Sequence, residues 1–123
     1  MQDISSEKME QYRQTFRKKV MLEEKRNAER RDKALETAKK AACLLKDEYG
    51  AKKVILFGSL SHNRYFDATS DIDIAVKGLD KNEYFRVVSK MIDLDHSIDI
   101  DLVIMEDASD GLLKTIIEEG KQL

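Results

Sequence analysis

Residues 54–76 read VILFGSLSHNRYFDATSDIDIAV, and the reading of this stretch decides the fold. Val54-Ile55-Leu56-Phe57 is an unbroken apolar run rich in strand formers, and it stops at Gly58-Ser59. That pattern predicts a buried strand entering a tight turn. At the other end Asp71, Asp73 and Ala75 alternate with Ile72, Ile74 and Val76, so a second strand has one apolar and one acidic face. Residues 60–70 between them are polar with no clear period and predict a loop or short helix.

Downstream the alternation returns in Ile98 to Ile104, which sets Asp99, Asp101 and Val103 opposite the isoleucines and Leu102. If the second and third strands are neighbours, Asp71, Asp73 and Asp101 converge on one patch, which Asp99 on the same strand face can join. Carboxylates a few ångströms apart repel by on the order of a few kcal/mol per pair at an effective dielectric near 20. A divalent cation reverses the sign of that energy. Hard oxygen donors suit Mg²⁺, which commonly takes one or two carboxylates and completes its shell with water and phosphate oxygens. The Gly58-Ser59 turn offers the complementary half, because glycine lets backbone N–H groups approach a phosphate closely.

Between these strands Asp80 and Glu83 form a start signal for a helix through about Leu94, with Tyr84, Val87, Val88, Met91 and Ile92 on its inner side. A last helix runs from about Ser109 to Glu119, ahead of Gly120. Upstream the chain holds no proline, so nothing interrupts a helix over its first fifty residues. Met9, Tyr12, Phe16 and Val20 form one apolar stripe, residues 23–33 are almost all charged and read as solvated, and Leu35, Ala38, Ala42, Leu45 and Tyr49 restore the core spacing before Gly50. The division expected is a charged helical extension over 1–33 and a domain over 34–123. The fold class expected is α/β (α+β): a small mixed sheet with helices packed on one face.

Composition narrows the function. The 22 Lys and Arg nearly cancel the 24 Asp and Glu, and the net charge of −2 gives no general pull toward nucleic acid or an anionic membrane. The single Cys43 excludes an internal disulfide. Neither a spanning apolar run nor the apolar core of a signal peptide is present in the sequence, so a cytoplasmic location is expected.

The segment VILFGSLSHNRYFDATSDIDIAV resembles the signature of the minimal nucleotidyltransferases of the DNA polymerase β-like superfamily, in which a Gly-Ser pair is followed at about ten residues by Asp-x-Asp. Eleven residues separate Ser59 from Asp71 here. IDIDLVIMEDAS resembles the family's third acidic strand, and GLLKTIIEEGKQL its closing helix; the resemblance covers roughly residues 35–123. It implies that Gly58 and Ser59 hold a nucleotide triphosphate, that Asp71 and Asp73 bind Mg²⁺, and that Asp101, or else Asp99, supplies the third carboxylate. The reaction it implies is transfer of AMP from ATP to an acceptor hydroxyl, with release of pyrophosphate. Where many members carry arginine after Gly-Ser, this chain has Leu60, so the phosphate contact is expected from Arg64, or from Lys77. His62 and His96 are expected to be merely exposed, and Tyr65 and Phe66 to pack the loop onto the sheet.

Minimal members of the family commonly pair with a small helical HEPN-type toxin and neutralise it by AMP transfer to a tyrosine. The resemblance therefore implies an antitoxin, with residues 1–33 as a docking or homodimerisation element. Two alternatives stand beside it: a nucleotide- or metal-binding module that neutralises a partner by contact alone, and a homodimeric small-molecule nucleotidyltransferase.

Overall fold

In a computed structural model, which describes residues 4–61 and 66–123, the chain folds as a four-stranded mixed sheet with a long helix leading into it. Helix α1 spans Ile4–Cys43 without a break and passes into a wider π-helical turn, Leu44–Glu48. Strand β1 (Lys53–Phe57) and strand β2 (Ile72–Lys77) follow, then a 3₁₀ turn (Lys81–Glu83) and helix α2 (Tyr84–Leu94). Strand β3 (Ile100–Ile104), a 3₁₀ turn (Met105–Asp107), helix α3 (Asp110–Glu119) and the two-residue strand β4 (Lys121–Gln122) complete the chain. The sheet order is β3-β2-β1-β4.

The lower half of α1 explains how the sheet acquires its cover. Ala34, Ala38, Ala41 and Ala42 are buried, and their small side chains bring the helix axis close to the sheet, with Leu45 filling the end of the groove. Gly50 takes a left-handed φ of 66° and lets the Ala51 N–H reach the Leu45 carbonyl at 3.0 Å, which turns the chain out of the helix. Burial on α1 begins earlier than the domain boundary expected at residue 34. Asn27 is only 7 % exposed, so the charged stretch 23–33 is not solvated on all sides. The helix backbone is continuous across that boundary. Farther up, Met9, Tyr12 and Phe16 are exposed along the helix, and no other described residue covers this stripe.

Strand pairing then sorts side chains between the two faces. Val54, Leu56, Ile72, Ile74 and Val76 point to the face covered by α1 and α2, where they join one apolar cluster with Val87 and Met91. Ile55, Phe57 and Ala75 point the other way and pack with Met105 and Ile116, so α3 lies on the face opposite α1 and α2. The physical reason is that all four apolar residues of β1 need cover, and one layer of helices buries only alternate ones. On α2, Ile92 is 57 % exposed instead of turning inward, because Val87 and Met91 already fill the inner face. Phe66 is buried and pins the loop to the core, as its apolar side chain predicts.

Strand β4 has no signal in the sequence. Its two residues pair antiparallel with Ile55 and Leu56, and the Leu123 N–H adds a bond to the Val54 carbonyl at 2.8 Å. Ser109 caps α3 by accepting from the Leu112 N–H at 3.2 Å, and Gly120 ends the helix with its N–H on the Ile116 carbonyl.

Candidate active site

The site grows out of the register between β2 and β3. The strands are parallel neighbours, and Asp73 pairs directly with Asp101, flanked by Ile72 with Ile100 and Ile74 with Leu102. Side chains at paired positions stand on the same side of a sheet, so the two carboxylates share the face on which Ala75 and Phe57 lie. Asp71 precedes the strand by one residue and is exposed. Asp99 lies just before β3, and its backbone carbonyl accepts from the Ile72 N–H at 2.9 Å. Between the two aspartates of IDID, the register therefore sets Asp101, rather than Asp99, opposite Asp73.

The turn after β1 arrives at the same place because β1 and β2 are antiparallel and Phe57 pairs with Asp73. Gly58 has a φ of 77°, and a Cβ built there would collide with Oδ2 of Asp73. The left-handed backbone favours glycine, and a larger residue there would push the Asp73 carboxylate out of place. Ser59 is half-buried beside it. The turn closes through Ser61, whose N–H and Oγ both donate to the Gly58 carbonyl, at 3.2 and 2.9 Å.

Electrostatics mark the same spot. Burial, then the charge of Asp101 and that of Asp71, push the Asp73 carboxyl up from its ordinary value of 3.8 to about 6. All three causes act in one direction, so the protein pays in repulsion to hold these groups together. The donor set is entirely carboxylate oxygen and fits a hard divalent cation such as Mg²⁺, with Asp73 and Asp101 as the facing pair. Among the described residues, no three His, Cys, Asp or Glu side chains are disposed to hold one ion. A cation here would therefore draw the rest of its shell from water and from triphosphate oxygens, as Mg²⁺ ordinarily does.

Other sequence candidates separate from this centre. Lys77 pairs with Lys53 at the far end of the β1–β2 ladder, remote from the Phe57–Asp73 end, so it does not serve the turn. His96 lies exposed beyond α2. Arg64, with His62 and Tyr65, falls outside the described residues. One contact had no place in the sequence reading: Arg31 of α1 donates from a guanidinium nitrogen to the Leu60 carbonyl at 3.0 Å. Its signal was the spacing of Asn27, Arg31, Ala34 and Ala38, which carries the core stripe of α1 back into the charged stretch.

Residues 39–123 match the family model for polymerase β nucleotidyltransferases. The chain belongs to the polymerase β nucleotidyltransferase family. Comparison with curated proteins gives no match. Among solved structures, the chain is similar to a toxin–antitoxin complex with AMP-PNP, with 32 % identity over 69 % of this chain and 70 % of the other, at a TM-score of 0.59. It is also similar to the tri-AMPylated HEPN toxin of Shewanella oneidensis in complex with MNT antitoxin, with 30 % identity over 72 % and 70 % of the two chains and a TM-score of 0.54. A third similarity is to the MntA–HpeT toxin–antitoxin in a variant with two aspartates changed to glutamate, with 30 % identity over 69 % and 70 % and a TM-score of 0.58. This member of the nucleotidyltransferase family thus shares its fold with MNT antitoxins solved in complexes with HEPN toxins. No helix among the described residues is long and apolar enough to cross a membrane.

Proposed function

We propose that the protein is a Mg²⁺-dependent adenylyltransferase that moves AMP from ATP onto a tyrosine hydroxyl of a HEPN-type toxin, and so acts as the antitoxin of the pair. The observation that carries this reading is the direct pairing of Asp73 with Asp101 on the face that the Gly58 turn abuts. A family fold with this acidic pair and turn supports phosphoryl-centre chemistry, and the AMPylated toxin in the Shewanella oneidensis complex supports the acceptor class. The glutamate-for-aspartate variant of MntA–HpeT changes two aspartates spaced two residues apart, the spacing of Asp71 and Asp73.

In this reading Gly58 and Ser59 hold the triphosphate through backbone N–H groups and the Ser59 hydroxyl, with Arg64, which follows them in sequence, as the phosphate-binding cation. Asp73 and Asp101, with Asp71 beside them, would hold one or two Mg²⁺ ions whose remaining ligands come from water and the triphosphate. Bound Mg²⁺ supplies charge neutralisation for the triphosphate and for the oxygens exchanged at phosphorus. Asp101 orients the acceptor hydroxyl and takes up its proton as that oxygen bonds to the α-phosphorus of ATP. The bond from the α-phosphorus to the bridging oxygen breaks, and pyrophosphate leaves. Positioning and fixed charge supply most of the rate. Residues 34–123 carry the acidic centre and the phosphate turn, and residues 1–33 extend from them as an arm that docks a partner or a second copy, in the cytoplasm.

The test uses ATP labelled at the α-phosphate, Mg²⁺, and a HEPN-type toxin as the acceptor. Label on a partner tyrosine that is lost in Asp71→Asn/Asp73→Asn supports the reading. Neutralisation of the partner by that double variant, with no label in either protein, would sink it in favour of contact alone.

A further inference from the structure

The turn that ends β1 does not fold in isolation, because its peptide groups are held from two helices. The Gly58 carbonyl accepts from the Ser61 N–H, and the single hydroxyl proton of Ser61 is shared between the Gly58 carbonyl at 2.9 Å and the Glu119 carbonyl of α3 at 3.3 Å. The next carbonyl but one, that of Leu60, accepts from the Arg31 guanidinium of α1 at 3.0 Å. Leu60 and Ser61 are 1 % and 2 % exposed, so the Arg31 bond is made in a nearly dry setting, where a charge-assisted bond is at its strongest.

The geometry of a planar trans peptide makes these bonds directional. The Leu60 C=O and Ser61 N–H belong to one peptide unit, so Arg31 fixes its oxygen end while Gly58 fixes its N–H end. With the Gly58 carbonyl turned toward Ser61, the Ser59 N–H of the same peptide unit necessarily points the opposite way. A phosphate is attracted by such N–H groups and repelled by carbonyl oxygens. Rotation of the 60–61 peptide would release the Ser61 bond and let the turn relax.

We infer that Arg31 is a positioning residue for nucleotide binding: from α1 it clamps the 60–61 peptide and so presents the Gly58–Ser59 turn to a triphosphate. This rests on the nucleotidyltransferase reading of the site. Arg31 bonds to the turn, and it ties that turn to the same helix that carries the exposed Met9, Tyr12 and Phe16 stripe.

The experiment compares wild type with Arg31→Ala, Arg31→Lys and Thr37→Ala. Thr37 is a buried α1 residue bonded to Asp95 and not to the turn, so it controls for loosened helix packing. Amide hydrogen exchange without nucleotide reads the clamp, and calorimetry with AMP-PNP and Mg²⁺ reads its consequence. Arg31→Ala should speed exchange at the Ser61 amide and weaken AMP-PNP binding about tenfold, the scale of one lost charge-assisted hydrogen bond. Arg31→Lys should recover part of both, and Thr37→Ala should move neither. Unchanged Ser61 exchange in Arg31→Ala overturns the clamp. Faster exchange with unchanged affinity, or an equal loss of affinity in Thr37→Ala, overturns the positioning role. A wild type that binds no nucleotide, with the Ser61 amide protected, overturns the functional reading and takes the positioning role with it while leaving the clamp intact.

Discussion

The two faces of the β2–β3 pair are built from the same alternating segments and meet opposite fates. On one, Ile72, Ile74 and Leu102 disappear under α1 and α2 into a fully apolar layer. On the other, Asp73 and Asp101 stand side by side, and α3 covers the sheet nearer β1, where Ile55 and Phe57 need it. The first face stabilises the fold; the second lowers its stability in exchange for a site. The contrast shows that the candidate site occupies one set of alternate positions, two strands wide, on a sheet whose other face secures the fold.

The sharpest way to break the contrast is to neutralise the acidic face without changing its shape. Asp101→Asn should cut AMP transfer on the order of a thousandfold, the scale on which charge-stabilising groups act, while the melting temperature holds or rises. Label transfer and a thermal melt on the same preparation check it. On the apolar face Ile74→Ala should lose about 2–5 kcal/mol in urea unfolding, because its side chain is fully buried and the sheet cannot collapse onto the space left.

Gly58 sits at the junction of both effects. Gly58→Ala should cost about 1–2 kcal/mol from the left-handed backbone alone. The clash with Asp73 adds to that, and the displaced carboxylate should lower transfer as well. Equilibrium unfolding together with initial rates would show both losses.

A smaller effect follows from protonation. Since Asp73 titrates near 6 in the fold against an ordinary 3.8, the folded chain binds that proton more tightly than the unfolded one. Its stabilising share is complete below about 3.8 and is lost as pH rises through about 6. Asp67 and Asp95, held below the usual carboxylate range first by side-chain hydrogen bonds from Thr69 and Ser97, act in the opposite direction in any variant that keeps them. In EDTA, the advantage in melting temperature of Asp73→Asn over wild type should therefore widen between pH 4 and pH 7, as read by melts across that range. Saturating Mg²⁺ with nucleotide should narrow it. The smallest effect is on the arm: Phe16→Ala should change the stability of the isolated chain by less than about 0.5 kcal/mol, because Phe16 is exposed.

Much of this contrast was legible beforehand, because alternation states which residues share a face. Asp71, Asp73 and Asp101 were assigned to an acidic side from the sequence, and Gly58 to a turn. Neighbourhood was not legible: nothing in the residues says that β2 and β3 pair in parallel with Asp73 against Asp101, and alternation alone sets Asp99 and Asp101 on the same face without saying which stands opposite Asp73. Strand β4 escaped because two residues have no period to read, and its pairing depends on an edge that exists only once the sheet has formed. The buried side of residues 23–33 escaped for a related reason. Asn27 and Arg31 are polar, and their burial depends on partners distant in sequence, the Leu60 carbonyl among them.

The most direct measurement is transfer from α-labelled ATP to the HEPN-type partner by wild type, Asp73→Asn and Asp101→Asn, with each variant's melting temperature recorded. The account predicts label on the partner with wild type, about a thousandfold less with either variant, and variants at least as stable as wild type. Undiminished transfer by folded Asp101→Asn would contradict it.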